Sequence, residues 1–163
     1  MRTGRERVIA DAAARGLEIE LREGLRARSL EEAATLLGIA PADIVKSLVV
    51  KRADGTYLFA LIPGDRQIAW PKLRAVVGVN RLQLPDADQA LATTGYERGT
   101  ITPLGATTAW PVYADTGIRG HRVSLGAGEH GASLFVDGDA LLAALEATVA
   151  DISEPLPPRS PHR

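Results

Sequence analysis

Apolar positions along the chain switch repeatedly between helical and strand spacing. Val8, Ile9, Ala12 and Ala13 fall on one face of a helix over residues 5–15, which Gly16 stops. Leu17-Glu18-Ile19-Glu20-Leu21 alternates with period two and predicts a half-exposed strand. Ser29 and Glu32 have capping-box spacing and open a second helix that Gly38 ends. The run from Ile44 to Val50 is apolar on both faces, apart from Lys46 and Ser47, and predicts a central buried strand. Asp54-Gly55 is a hairpin signal, with Tyr57 to Ile62 as the return strand. After the turn at Pro63-Gly64-Asp65, a helix follows with Pro71 in its first turn and Gly78 past its end.

Further on, Arg81 to Leu84 predicts a short strand, and Asp86 with Gln89 caps a helix that stops at Gly95. Residues 99–105 form a loop, and strands are predicted at 110–114, 121–125 and 133–136. Asp137 or Asp139 starts a last helix reaching to about residue 149. Residues 151–163 hold four prolines and predict a disordered tail behind one compact domain over 1–150. Several strands follow one another directly. The pattern therefore predicts an α+β fold with a central mixed, mainly antiparallel sheet flanked by helices, not a doubly wound parallel one.

Composition narrows the function classes. With 45% hydrophobic and 24% charged residues the chain is of the globular class. No run approaches the roughly 18 apolar residues of a membrane span, and the charged N-terminus lacks the apolar core of a signal peptide, so a cytoplasmic protein is expected. The absence of cysteine excludes disulfides, thiolate nucleophiles and sulfur-ligated zinc. A net charge of −1 argues against a protein that coats DNA or RNA, though not against one that touches a single RNA end. There is no Walker motif, no GxGxxG between strand and helix and no GxSxG elbow, and no cofactor is implied. His121 and His130 match no metal-binding spacing and are accounted for as surface residues; His162 falls in the tail.

Three features could carry chemistry. Lys46 places an ammonium in a strand that is otherwise apolar, which is costly unless the charge is paired or opens on a cavity. An edge-strand lysine that blocks sheet pairing is the plainer explanation. The loop Gly99-Thr100-Ile101-Thr102-Pro103-Leu104-Gly105 could bring backbone N–H groups to a developing oxyanion, or be a simple turn. Asp115 either caps the turn after its strand or pairs with Lys46. The glycines of 126–131, Gly126 and Gly128 among them, make a further flexible loop.

In combination these segments are more specific. The order Asp43-Ile44-Val45-Lys46-Ser47-Leu48-Val49, Leu61-Ile62-Pro63-Gly64-Asp65, Thr94 to Gly105 and Pro111-Val112-Tyr113-Ala114-Asp115 resembles the YbaK/EbsC family over about residues 5–150. That family includes deacylases of Cys-tRNA(Pro) and Ala-tRNA(Pro) and the editing insertion of bacterial prolyl-tRNA synthetases. The resemblance implies a barrel-like sheet and hydrolysis in trans of the ester on mischarged tRNA, with tRNA(Pro) carrying Cys, Ala or another small amino acid as the expected substrate. It implies that Lys46, Gly99 and Pro103 are catalytic, that Thr100, Ile101, Thr102, Asp115, Gly126 and Gly128 bind substrate, and that no metal takes part. The expected partners are the aminoacyl-tRNA acceptor end and prolyl-tRNA synthetase, with no DNA and no membrane.

Leu48, Ile62 and Leu104 are candidates for pocket walls, and Pro85 stands where more familiar members have a small residue. A non-catalytic module of the same fold, binding aminoacyl-tRNA or a synthetase, is the alternative; retention of Lys46 and the whole GxxxP loop argues against it.

Overall fold

The computed structural model describes residues 2–24 and 26–157, so His162 and the last six residues of the expected tail lie outside it. In chain order the elements are α1 (Gly4–Ala14), β1 (Glu20–Arg22), α2 (Leu30–Leu37), β2 (Val45–Arg52), β3 (Tyr57–Pro63), β4 (Arg66–Ile68), α3 (Trp70–Val77) and β5 (Leu82–Gln83). They continue with α4 (Ala87–Thr94), β6 (Val112–Asp115), β7 (Arg122–Gly126), β8 (Ser133–Asp137), α5 (Gly138–Ala144), β9 (Thr148–Ala150) and β10 (Ser153–Pro155).

The helix boundaries follow the capping chemistry. Thr3 and Glu6 form a reciprocal capping box at α1, as Asp86 and Gln89 do at α4. At α2 the box is half made: Ser29 Oγ accepts from the Glu32 N–H at 3.0 Å, but the Glu32 carboxylate takes the N–H of Arg28 instead of that of Ser29. Gly38, Gly78 and Gly95 end α2, α3 and α4 in the left-handed conformation.

Five strands form the main sheet in the order β5-β2-β3-β6-β9, antiparallel from β5 to β3 and parallel from β3 to β9. A three-stranded antiparallel sheet, β1-β8-β7, packs beside it, and β10 pairs antiparallel with β4. A parallel bridge between Ile44 and Ser124 links the two larger sheets, but the sheets stay separate and open. The expected barrel is therefore replaced by a mixed, mainly antiparallel arrangement of three sheets with flanking helices.

Strand β3 is buried along its whole length and sorts the core by parity. Phe59 and Leu61 face a large cluster with Val45, Val49, Leu125, Leu134 and α1's Val8 and Ala12. Leu58, Ala60 and Ile62 face a smaller one with Val50, Ile68, Leu73 and Ile152. Lys46 lies on the second face and Ser47 on the first.

Two expectations at the C-terminal end are corrected. The last helix ends at Ala144, since Glu146 turns to a φ of 51° and Thr148–Ala150 then pairs in parallel with β6. The disordered tail does not begin at 151. Ile152 is fully buried and donates its N–H to Asp115, and β10 follows on β4. Proline at Pro155 fits there because it closes a short edge strand, where no ladder N–H is required. Composition alone could not show that this segment covers the smaller cluster.

Ile152→Ala should consequently lower the unfolding free energy by about 2–5 kcal/mol in a denaturant titration, the cost of a deleted core side chain. A change within about 0.5 kcal/mol, the value for an uncoupled surface position, would mean that the segment does not close the core.

Candidate active site

Strand β2 pairs with β3 from Val45 to Lys51, but with β5 only at Lys51 and Arg52. Its N-terminal half thus has a free edge. The Arg52 N–H donates to Thr56 at 2.8 Å, and the Arg52 carbonyl accepts from Gly55 at 3.1 Å, which fixes the phase of the ladder. By antiparallel alternation, Lys46, Leu48 and Val50 direct their backbone groups to β3, while Ser47 and Val49 direct theirs outward.

A cavity of about 490 Å³ occupies the space beside this edge. The 44–49 segment forms one wall, Leu84, Pro85 and Ala90 a second, and Arg98, Gly99, Ile101 and Gly126 a third. Because the cavity wraps an edge, it meets side chains from both faces of β2, so Lys46 and Ser47 both reach it. The size is that of a pocket for a nucleoside-sized ligand.

Lys46 is half-buried here. Its Nζ donates to the Arg66 carbonyl. Burial pushes its pKa below the ordinary lysine value, and the Asp65 carboxylate acts in the opposite sense. Ser47 Oγ is buried without a partner. The residue lines the cavity, but its hydroxyl lies beneath the surface of the wall.

The 99–105 loop is held rigidly. Thr100 is buried, donates N–H and Oγ1 to the Glu97 carbonyl at 2.9 and 2.8 Å, and accepts from the Gly128 N–H at 3.1 Å. Thr102 is fully buried and its Oγ1 accepts from the Leu104 N–H at 3.3 Å. The N–H groups of Gly99 and Ile101 have no acceptor among the described residues, and both residues line the cavity. Gly99 sits at a φ of 91°, a conformation that disfavours any side chain.

Helix α1 supplies a clamp. Asp11 Oδ2 accepts from the Gly105 N–H at 2.8 Å, and Arg7 donates to the carbonyls of Gly105 and Gly95, each at 3.1 Å. The Arg7 guanidinium lies 4.4 Å from the Tyr96 ring centre, and the Tyr96 hydroxyl donates to Leu104 at 2.7 Å. Burial raises the Tyr96 pKa against the opposing pull of Arg7, which keeps the hydroxyl a donor. A Cβ on Gly105 would stand 2.7 Å from the Arg7 backbone, so this close approach requires glycine.

Of the nine residues expected at the site, the structure brings four together at the cavity: Lys46, Gly99, Ile101 and Gly126. Thr100 and Thr102 hold the loop from behind. Pro103 is buried on the far side of the loop, against Trp110 and Val112, in a separate hollow. Gly128 abuts the backbone of Gly4. Asp115 does not pair with Lys46. Its two oxygens accept from the N–H groups of Gly117 and Ile152 at 3.0 and 3.1 Å, so it caps a turn and anchors the chain into β10. Among the wall candidates, Leu48 lines the cavity, whereas Ile62 and Leu104 are fully buried in the core.

Arg7 and Asp11 were missed. Their spacing along one helix face is visible in the sequence, but nothing there reveals that the target is a loop almost a hundred residues away. Among the described residues no three His, Asp or Glu side chains come together as a metal site, and no helix is long and apolar enough to cross a membrane.

Comparison with known proteins places the chain in a family. Residues 26–144 match the model of the aminoacyl-tRNA editing domain. The proline–tRNA ligase of Thermosipho africanus is 39% identical over 92 residues, covering 56% of this chain and 16% of the ligase. That of Thermosipho melanesiensis is 36% identical over 102 residues, covering 63% of this chain and 18% of the ligase. The chain therefore spans less than a fifth of the length of these ligases.

Among solved structures, a candidate trans-editing enzyme for prolyl-tRNA synthetase superposes with a TM-score of 0.85 at 29% identity, covering 94% of this chain and 99% of that one. A protein described only as hypothetical superposes with a TM-score of 0.84 at 30% identity, covering 91% and 100%. The chain belongs to the aminoacyl-tRNA editing domain family.

Proposed function

We propose that this protein is an aminoacyl-tRNA deacylase that acts in trans, removing Cys, Ala or another small amino acid from tRNA(Pro). The observation that carries the reading is that Lys46, Gly99 and Ile101 line one cavity, the latter two with N–H groups that have no acceptor among the described residues. The terminal adenosine enters along the free edge of β2, where Ser47 directs its backbone groups outward. The ester carbonyl lies toward Gly99 and Ile101.

Water adds to the carbonyl carbon, and the negative charge that develops on the carbonyl oxygen is stabilised by the two N–H groups and by Lys46. Such preorganised donors act strongly in a site that excludes water. The intermediate then collapses with cleavage of the bond to the ribose oxygen. The proton of the attacking water passes to that oxygen through the neighbouring ribose hydroxyl. The products are a free amino acid and a tRNA with its terminal hydroxyl restored.

No carboxylate or imidazole lines the cavity, which suits an activated ester better than an amide. The apolar walls of Leu48, Pro85, Ala90 and Ile101 set the size limit, each methylene being worth about 1–3 kcal/mol in discrimination. Prolyl-tRNA synthetase is the proposed partner, given the likeness to ligase editing segments.

Lys46→Met tests the assignment in two ways. Deacylation of mischarged tRNA(Pro) should fall by about 100-fold or more, the usual loss for one charge-stabilising group. The variant should also be more stable. With its folded pKa below the unfolded one, a protonated Lys46 costs folding free energy throughout the range below the folded value, and the cost disappears above the unfolded value. The gain in unfolding free energy should therefore be present at neutral pH and shrink as the pH rises to the ordinary lysine range. Full activity in the variant would remove Lys46 from the mechanism.

Asp11→Ala tests the clamp. It leaves the half-buried Gly105 N–H without its acceptor, at a cost of about 1 kcal/mol. Single-turnover deacylation should slow although every cavity-lining residue is retained. An unchanged rate would show that the loop keeps its shape without α1.

A further inference from the structure

At the other end of β2 lies a second recess, of about 630 Å³ and quite different chemistry. Lys51, Arg52, Arg74 and Arg81 line it, with the polar side chains of Asn80 and Gln83 between them. None of the four cations is ion-paired to a described carboxylate. Four cations in one place, with Asp54 the neighbouring carboxylate that feels one of them, Arg52, are notable in a chain of net charge −1. Arg52 Nε is in addition buried without a hydrogen-bond partner. A donor left in that state costs about 1–3 kcal/mol unless something absent from the chain accepts from it. Asp54 lines an adjoining hollow of about 400 Å³ that shares Arg52 and Arg81; its Oδ1 accepts from the Thr56 N–H and hydroxyl at 2.9 and 2.6 Å, and its single charge offsets only part of the four.

The recess is built by the elements that build the active-site cavity. β5 pairs with β2 at Lys51 and Arg52, and the residues that follow it, Leu84 and Pro85, turn back to line the cavity. The six residue steps from Lys46 to Arg52 span about 20 Å of extended strand. We infer that this recess binds the phosphodiester backbone of the RNA whose terminal nucleoside occupies the cavity, through charge-assisted bonds from Arg52, Arg74 and Arg81 and the point charge of Lys51. Guanidinium groups match phosphate oxygens in pairs, and three of the four cations are arginines. The inference rests on the deacylase reading for the position of the RNA end, and its test is separable from that reading.

The test is fluorescence anisotropy of an uncharged tRNA(Pro) acceptor-stem hairpin over a series of salt concentrations, with wild type and the double variant Arg74→Ala/Arg81→Ala. Arg81 is exposed and Arg74 half-buried in the last turn of α3, and thermal unfolding checks that the variant is folded. If two phosphate contacts are lost, the slope of log K against log salt should decrease in magnitude by about 1.4–1.8. Affinity should fall at least tenfold, and Arg81→Glu alone should weaken binding in the same direction. With charged tRNA the KM should rise in parallel, while the KM for an aminoacyl-adenosine ester, which has no backbone, should not follow it.

Unchanged affinity and slope would overturn the inference. So would inorganic phosphate or a mononucleotide binding the recess as tightly as the hairpin, which would make it a small-anion site. Retained RNA binding with lost affinity for prolyl-tRNA synthetase would assign it to a protein surface and overturn the inference equally. If wild type hydrolyses no ester yet shows the salt slope and its loss, the deacylase reading fails and the phosphate site stands. Hydrolysis with an unaffected slope gives the converse.

Discussion

Strand β2 is hydrogen-bonded to β3 over seven register pairs but to β5 over only two, and the active-site cavity is the space left by that mismatch. An unpaired strand edge is ordinarily a liability, since its N–H and C=O groups invite pairing with another chain. Here the edge is walled by Leu84, Pro85, Ile101 and Gly126, so that a ligand can reach it but a second strand meets protein. Lys46 belongs to the same solution. Its charge on a strand of otherwise apolar character is uncomfortable, and the cavity opening and the Arg66 carbonyl make it tolerable. The interaction that destabilises the fold locally is the one offered to the substrate, as expected where function and stability draw on the same residue.

The opposite wall depends on a different kind of constraint. The 99–105 loop has no secondary structure to fix it, and its shape comes from side chains that satisfy its backbone from outside. Arg7, Asp11, Tyr96 and the Thr102 hydroxyl bond its backbone at Leu104 and Gly105, and the Thr100 hydroxyl ties it to the Glu97 carbonyl. The N–H groups of Gly99 and Ile101 keep no acceptor among the described residues, and both residues line the cavity. A site of this construction stabilises charge without a strong base. It is suited to a bond already activated toward hydrolysis, and less to one that needs a nucleophile of high reactivity.

Much of this was legible in the sequence where the cause is local. Caps at Ser29 and Asp86 and glycines at 38, 78 and 95 set helix ends through their own backbone chemistry, and each stands at an element boundary in the fold. The Lys46 strand and the glycine loop were singled out for similar reasons. The short strands β4, β9 and β10 were not, because three residues carry too little periodicity and each exists only through its partner. Asp115 shows the same limit: from the sequence it could cap a turn or pair with Lys46, and what decides is Ile152, whose N–H arrives from a segment that composition marks as loose. Pro103 sits in the motif with Gly99 yet turns its ring to the core, so proximity in sequence did not translate into proximity to the cavity.

The central claim is that the scissile carbonyl sits between Lys46 and the N–H groups of Gly99 and Ile101. A crystal structure with an amide-linked alanyl-adenosine, which cannot be hydrolysed as the ester is, tests it most directly. The account predicts the carbonyl oxygen within about 3.2 Å of at least one of those N–H groups, with Lys46 on the same side and the adenosine along the free edge at Ser47. An analogue bound with its carbonyl directed away from the 99–101 loop, or outside the cavity altogether, would contradict it.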